Sequence, residues 1–154
     1  MLEVGDIAPE FTLPDENDNQ VSLTSLLTDG PLVLYFYPAD FTPVCTMQAC
    51  AFRDRYKDVE KAGVRIVGIS PQSAASHRRF RDMFSLPFPL LHDEGRVAIK
   101  AFGVEGFFGL GVRRATFLIG QDRKILERVV ADLLLGSHID LVREVVARKQ
   151  ERVS

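Results

Sequence analysis

Apolar and polar positions along this chain repeat with two different periods, and the changes from one to the other lay out its elements. Phe11-Thr12-Leu13 and Val21-Ser22-Leu23 alternate every second residue around the polar run Asp15-Glu16-Asn17-Asp18-Asn19, which predicts an antiparallel hairpin. Leu32 to Tyr37 and Val64 to Ile69 are short continuous apolar runs, as expected of strands buried on both faces. The stretch from Pro43 to about Lys61 between them is helical in period, giving a strand-helix-strand unit. Ser73 to about Phe84 predicts a second helix, Arg96 to Phe102 a shorter one, and Thr116 to Ile119 with Ile125 to Val130 a closing strand pair. Ser137 offers an N-cap to a final helix through about Lys149, with Ile139, Val142, Val145 and Val146 on its apolar face. Strands alternating with helices predict α/β layers around a central sheet.

Length and charge narrow the picture. At 154 residues, 46% of them hydrophobic, the chain supports one core, so a single domain over 1–154 is expected. A net charge of −2, with no run of like charges, gives no electrostatic case for nucleic acid or an anionic membrane. Met1-Leu2-Glu3-Val4-Gly5-Asp6 is acidic where a secretory signal is basic, and no apolar run approaches the roughly 18 residues that span a bilayer. The expectation is a cytoplasmic protein. Two cysteines in a reducing compartment point to transient, catalytic pairing rather than a permanent staple.

Both cysteines lie in Tyr37-Pro38-Ala39-Asp40-Phe41-Thr42-Pro43-Val44-Cys45-Thr46-Met47-Gln48-Ala49-Cys50. A strand that breaks at Pro38 and re-enters a helix at Pro43 presents Cys45 in the first helical turn, where backbone N–H groups lack partners. With Thr42 as N-cap and Pro43 at the first helical position, Cys45 is third, and its N–H is the one a capping threonine oxygen accepts. Spacing alone therefore places the Thr42 hydroxyl beside Cys45. An ordinary thiol of pKa about 8.5 is roughly 3% thiolate at neutral pH, so complete ionisation gains at most about thirtyfold, or roughly 2 kcal/mol. A fast thiol enzyme needs fixed donors as well. On a helical wheel Cys45 shares a face with Phe52, Tyr56 and Val59, while Cys50 falls on the charged stripe with Arg53, Asp54, Lys57 and Lys61.

Pro38, Thr42 and Cys45 match the active-site pattern of the peroxiredoxins, which the segment resembles, and Cys50 five residues on is similar to the peroxiredoxin Q class, also called bacterioferritin comigratory protein. Gly5-Asp6, Ala8-Pro9-Glu10-Phe11-Thr12-Leu13-Pro14, Val21-Ser22-Leu23 and Arg114-Ala115-Thr116-Phe117-Leu118-Ile119 fit that family in the same order. The resemblance implies a thioredoxin-like α/β fold with an added N-terminal hairpin and a central mixed sheet flanked by helices. It implies reduction of hydrogen peroxide and organic hydroperoxides by Cys45, resolution by Cys50, recycling by thioredoxin or a glutaredoxin-like dithiol, and no cofactor. It assigns peroxide orientation to Thr42 and Arg114 and a shielding, loop-shaping role to Pro38. Arg113 competes with Arg114, but neighbours on a strand face opposite ways, so one of them reaches Cys45. Five residues of intact helix separate the two cysteine Cα atoms by about 8.6 Å, beyond the roughly 7 Å limit of a disulfide, so the helix must open for them to join.

Three further features carry expectations. Gln48 reads as a helix-surface or pocket-rim residue, and His77, His92 and His138 as surface or loop residues without metal-ligand spacing, so no metal is assigned. Phe107, Phe108 and Leu110 among Gly106, Gly109 and Gly111 form either an apolar lip, a self-association patch or a loop tucked on the core. A monomer is expected, with a dimer through that loop as the alternative. The rival functions are a general thiol-disulfide oxidoreductase, for which a Cys-x-x-Cys pair is usual, a redox sensor that relays a disulfide to a partner, and, lacking any local signature, a Cys-His hydrolase.

Overall fold

The computed structural model describes residues 1–132 and 135–153, with backbone alone beyond Arg148. Strands β1 (Thr12–Pro14) and β2 (Gln20–Ser22) pair antiparallel as the expected hairpin. Ser22 then starts a one-turn helix α1 (Leu23–Leu26) through a capping box with Ser25. Next come β3 (Leu32–Phe36), α2 (Pro43–Lys61), β4 (Arg65–Ser70), α3 (Ala74–Met83), β5 (Leu90–His92) and α4 (Val97–Ala101). A short 3-10 turn (Phe107–Gly109) leads into β6 (Ala115–Ile119), β7 (Ile125–Val130) and α5 (Gly136–Val153). The main sheet has the order β5-β4-β3-β6-β7, with β3, β4 and β5 parallel and β6 and β7 antiparallel to their neighbours. This is the mixed α/β architecture of the thioredoxin-like fold.

The central strand β3 is buried at all five positions, and its alternation divides the core in two. Leu32, Leu34 and Phe36 face a layer built from the hairpin, α1 and α4, whereas Val33, Tyr35 and the following Tyr37 face α2, α3 and α5. Cys45 belongs to the second layer. There Tyr35 meets Phe52 edge-on with ring centroids 5.0 Å apart and stacks on Tyr37 at 5.4 Å. Gly68, directly opposite Tyr35 in the ladder, leaves the space for that ring, since a Cβ there would lie 2.9 Å from Tyr35 Cζ. Each such buried aromatic contributes about 1.5–3 kcal/mol through its burial.

Three expectations change. The helix α5 starts at Gly136, with the Ile139 N–H on Leu135 O at 3.1 Å, so Ser137 lies inside the first turn instead of capping it. The loop around Phe107 is not tucked on the core: Phe107 and Leu110 are 77% and 74% exposed and Phe108 is fully exposed, its backbone left-handed at φ 58°. His77 and His138 are buried rather than on the surface, because each finds partners for both ring nitrogens. No helix among the described residues is long and apolar enough to cross a membrane.

Candidate active site

Strand β3 ends at Phe36, and after Tyr37, whose N–H still reaches Ile69 O at 3.1 Å, Pro38 brings no donor to continue the pairing. The chain turns through Asp40 and Phe41, the latter left-handed at φ 65°, and reaches Thr42 in extended geometry as the N-cap of α2 with Pro43 at its first position. Cys45 is therefore third in the helix, as expected, and is 2% exposed. The Thr42 side chain does not cap: its hydroxyl donates to Ala39 O at 2.8 Å, and the orientation that this bond fixes leaves its oxygen without a hydrogen bond from the helix amides. Pro43 has no N–H and Thr46 N–H is bound to Thr42 O at 2.9 Å, which leaves the amides of Val44 and Cys45, among the described residues, as open donors at the helix start.

Arg114, just before β6, is the arginine that reaches the sulfur. It is 3% exposed, and its Nη2 lies 3.1 Å from Cys45 Sγ while Nη1 donates to Gln48 Oε1 at 2.6 Å and Nε to Asp132 O at 3.0 Å. Its own amide donates to Asp132 Oδ1 at 3.1 Å, so backbone and guanidinium are fixed by the same loop. Arg113 faces the other way, as strand alternation requires: it pairs with Asp132 at 3.0 Å and its guanidinium sits 5.5 Å from the Phe107 ring centre. The Arg113 hydrogen bond holds the Asp132 carboxyl below its ordinary range, against a smaller opposing effect of burial. A buried guanidinium aimed at a sulfur beside two open amides can hold a developing negative charge on either sulfur or a neighbouring oxygen.

Gln48 is fully buried, which corrects the surface or rim placement. One turn beyond Cys45 on the same helical face, it accepts from Arg114, and its Nε2 is a buried donor without a partner among the described residues. The three-residue spacing from Cys45 carried that information. Pro38 is partly buried at the base of the turn, and Cys50 is a partly exposed free thiol in the same unbroken helix as Cys45. Distant in sequence, His138 supports the arginine's loop: its Nε2 donates to Ala131 O at 2.9 Å, and its Nδ1 accepts from Thr116 Oγ1 at 2.7 Å. Burial pushes the His138 pKa down. Among the described residues no group of three or more His, Cys, Asp or Glu side chains is arranged to hold a metal ion.

Comparison with known proteins shows the family and the fold. A sequence profile described as the AhpC/TSA family matches residues 4–128. Peroxiredoxin Bcp of Escherichia coli K12 is 44% identical over 147 residues, covering 92% of this chain and 93% of that protein. The chloroplastic peroxiredoxin Q of Oryza sativa subsp. japonica is 48% identical over 119 residues, which are 77% of this chain but 54% of the plant protein, so the chain spans about half the length of that relative. Among solved structures, peroxidoxin BcpB of Mycobacterium tuberculosis superimposes with a TM-score of 0.89 at 35% identity, over 96% of this chain and 98% of that one. Peroxiredoxin Q of Xanthomonas campestris gives 0.82 at 29% identity, over 90% and 91%.

Proposed function

The chain belongs to the AhpC/TSA family, in its peroxiredoxin Q and Bcp class, and from that membership we propose that it is a thiol-dependent peroxidase acting through Cys45. The observation that carries this reading is the Arg114 guanidinium 3.1 Å from Cys45 Sγ at the start of α2. Cys45, as thiolate, attacks one oxygen of a peroxide. The O–O bond breaks, sulfur is oxidised to the sulfenic acid, and the electron pair leaves with the other oxygen, which takes a proton and departs as water or an alcohol. Arg114 and the open amides of Val44 and Cys45 stabilise that departing charge. The Thr42 hydroxyl, its proton committed to Ala39 O, accepts a hydrogen bond from the peroxide O–H and orients it, and Pro38 shapes the turn that shields the pocket.

Cys50 then attacks the sulfenic sulfur. The S–O bond breaks, water leaves with the Cys50 proton, and a Cys45–Cys50 disulfide forms. Both residues lie in one continuous helix, so the first turns of α2 unwind for this step. Thioredoxin or a glutaredoxin-like dithiol supplies two electrons and two protons to restore both thiols. The exposed Phe107, Phe108 and Leu110, on the loop leading to Arg113 and Arg114, suit organic hydroperoxides as well as hydrogen peroxide. We take the chain to act as a single domain and a monomer, in the cytoplasm or a comparable reducing compartment. Burial of Cys45 argues against the oxidoreductase reading, because a protein disulfide cannot reach a 2% exposed sulfur without prior opening.

Peroxide consumption with thioredoxin and its reductase tests the reading in the wild type, Cys45→Ser and Cys50→Ser. Turnover abolished in Cys45→Ser and impaired in Cys50→Ser is expected. No turnover by the wild type, together with rapid reduction of protein disulfides, would transfer the chain to the oxidoreductase class.

A further inference from the structure

The turn that carries Cys45 is fastened to α3 by a buried hydrogen-bonded cluster outside the reacting site. Asp40 sits between Pro38 and Thr42, and its side chain and that of His77 are fully buried. Asp40 Oδ2 accepts from His77 Nδ1 at 2.7 Å and from Ser76 Oγ at 2.7 Å, and Oδ1 accepts from Tyr37 OH at 2.7 Å. His77 Nε2 faces Leu91 O at 3.1 Å. Both imidazole nitrogens thus have partners, and the Asp40 carboxyl is engaged by three side chains at once. Such a buried network is costly to break inside a protein, since a polar group left behind without its partner bears the full cost of its desolvation.

The residue after Asp40 pulls the other way. Phe41 holds a left-handed backbone at φ 65°, a genuine outlier for a bulky side chain. It is kept there by ring contacts to α3, with centroids 5.2 Å from Phe80 and 6.4 Å from Phe84. Both ring contacts are with α3 and its C-cap residue Phe84, and the strain is released once the turn leaves them.

We infer that Asp40 and His77, with Ser76 and Tyr37, form a latch that holds the Cys45 turn closed for peroxide attack, and that release of this latch, driven by the strain at Phe41, sets the rate at which α2 opens for Cys50. The inference rests on the two-cysteine cycle proposed above. Asp40 and His77 are positioning residues: they touch neither peroxide nor sulfur. Weakening the latch therefore has opposite effects on the two halves of the cycle. Attack on peroxide, which needs the closed turn, slows; formation of the disulfide, which needs the open one, accelerates.

Rapid-quench mass spectrometry of a single turnover with hydrogen peroxide separates the two steps. In the variant Asp40→Ala/His77→Leu, which removes both partners of the latch together, disulfide formation is expected at least about tenfold faster and sulfenic acid formation slower. Ser76→Ala, which removes one hydrogen bond to Asp40, is expected to move both steps the same way by about threefold and keeps the test open should the double variant fold poorly. Disulfide formation unchanged within about twofold in both variants, or slowed along with attack, would overturn the latch. Hydrogen exchange in the reduced proteins reads the latch without the chemistry: amides of residues 46–50 exchange at least about tenfold faster in the double variant, and unchanged exchange overturns it. If the wild type forms no Cys45–Cys50 disulfide, the two-cysteine cycle fails, and exchange still decides the latch.

Discussion

Replacing Arg114 by methionine removes the cation and all three guanidinium hydrogen bonds while keeping an unbranched side chain in a site that is 3% exposed. A unit charge about 4 Å from a developing negative charge is worth about 4 kcal/mol at an effective dielectric of about 20. Removal of one donor from an oxyanion site costs about 2.7–4 kcal/mol in measured cases. A loss of about 3 kcal/mol, reduced to some extent by the open amides of Val44 and Cys45, translates into about a hundredfold fall in the second-order rate of sulfenic acid formation. Arg114→Lys keeps the charge but cannot serve Cys45, Gln48 and Asp132 together, so a loss of at least about tenfold is expected. The chain has no tryptophan, so the assay is quench and mass measurement of Cys45 oxidation against peroxide concentration, with the urea midpoint confirming that each variant is folded. A folded Arg114→Met protein that reacts within about threefold of the wild type would refute the argument that this guanidinium stabilises the reaction.

Other consequences concern stability. His138 is held below its ordinary value of 6.5 by burial, so the unfolded chain binds more protons than the folded one as pH falls from that value towards the folded one. Stability is therefore full above about pH 6.5 and declines below it, and the urea midpoint of His138→Gln should change less than that of the wild type between about pH 7 and 5; equal slopes would contradict this. Phe108→Gly should raise the urea midpoint by the equivalent of about 1 kcal/mol, because the residue is fully exposed and left-handed, and a lower midpoint would show that the ring has a partner. Gly68→Ala puts a methyl group 2.9 Å from Tyr35 Cζ and 3.0 Å from Leu90 Cδ2 and should cost about 1–3 kcal/mol; a neutral result would mean that the Tyr35 ring moves freely.

Periodicity located the strand-helix-strand unit and the strand pair to within a residue or two because their burial follows from pattern alone: β3 is apolar throughout, and α2 begins at a proline. Strand β5 escaped because three residues, just after Pro87 and Pro89, are too few to show a period. The helix α1, a single turn, escaped for the same reason. At the site, Cys45, Thr42 and Pro43 were legible because their arrangement is local, and Arg114 because its strand motif resembled that of a known family. The hydroxyl of Thr42 turned away from the helix end because a neighbouring carbonyl competed for it. Gln48, His77 and His138 were misplaced because a polar side chain is buried only where partners await it, and those partners lie 66, 37 and 22 residues away in Arg114, Asp40 and Thr116.

The most direct test of the two-cysteine account is to mix the reduced protein with one equivalent of hydrogen peroxide, quench at increasing times with a sulfenic-acid trap, and map the products by mass spectrometry. The account predicts a trapped sulfenic acid on Cys45 alone at early times, giving way to a disulfide between Cys45 and Cys50 of the same chain. Unmodified Cys45 with peroxide unspent, first oxidation at Cys50, or a disulfide joining two chains would contradict it.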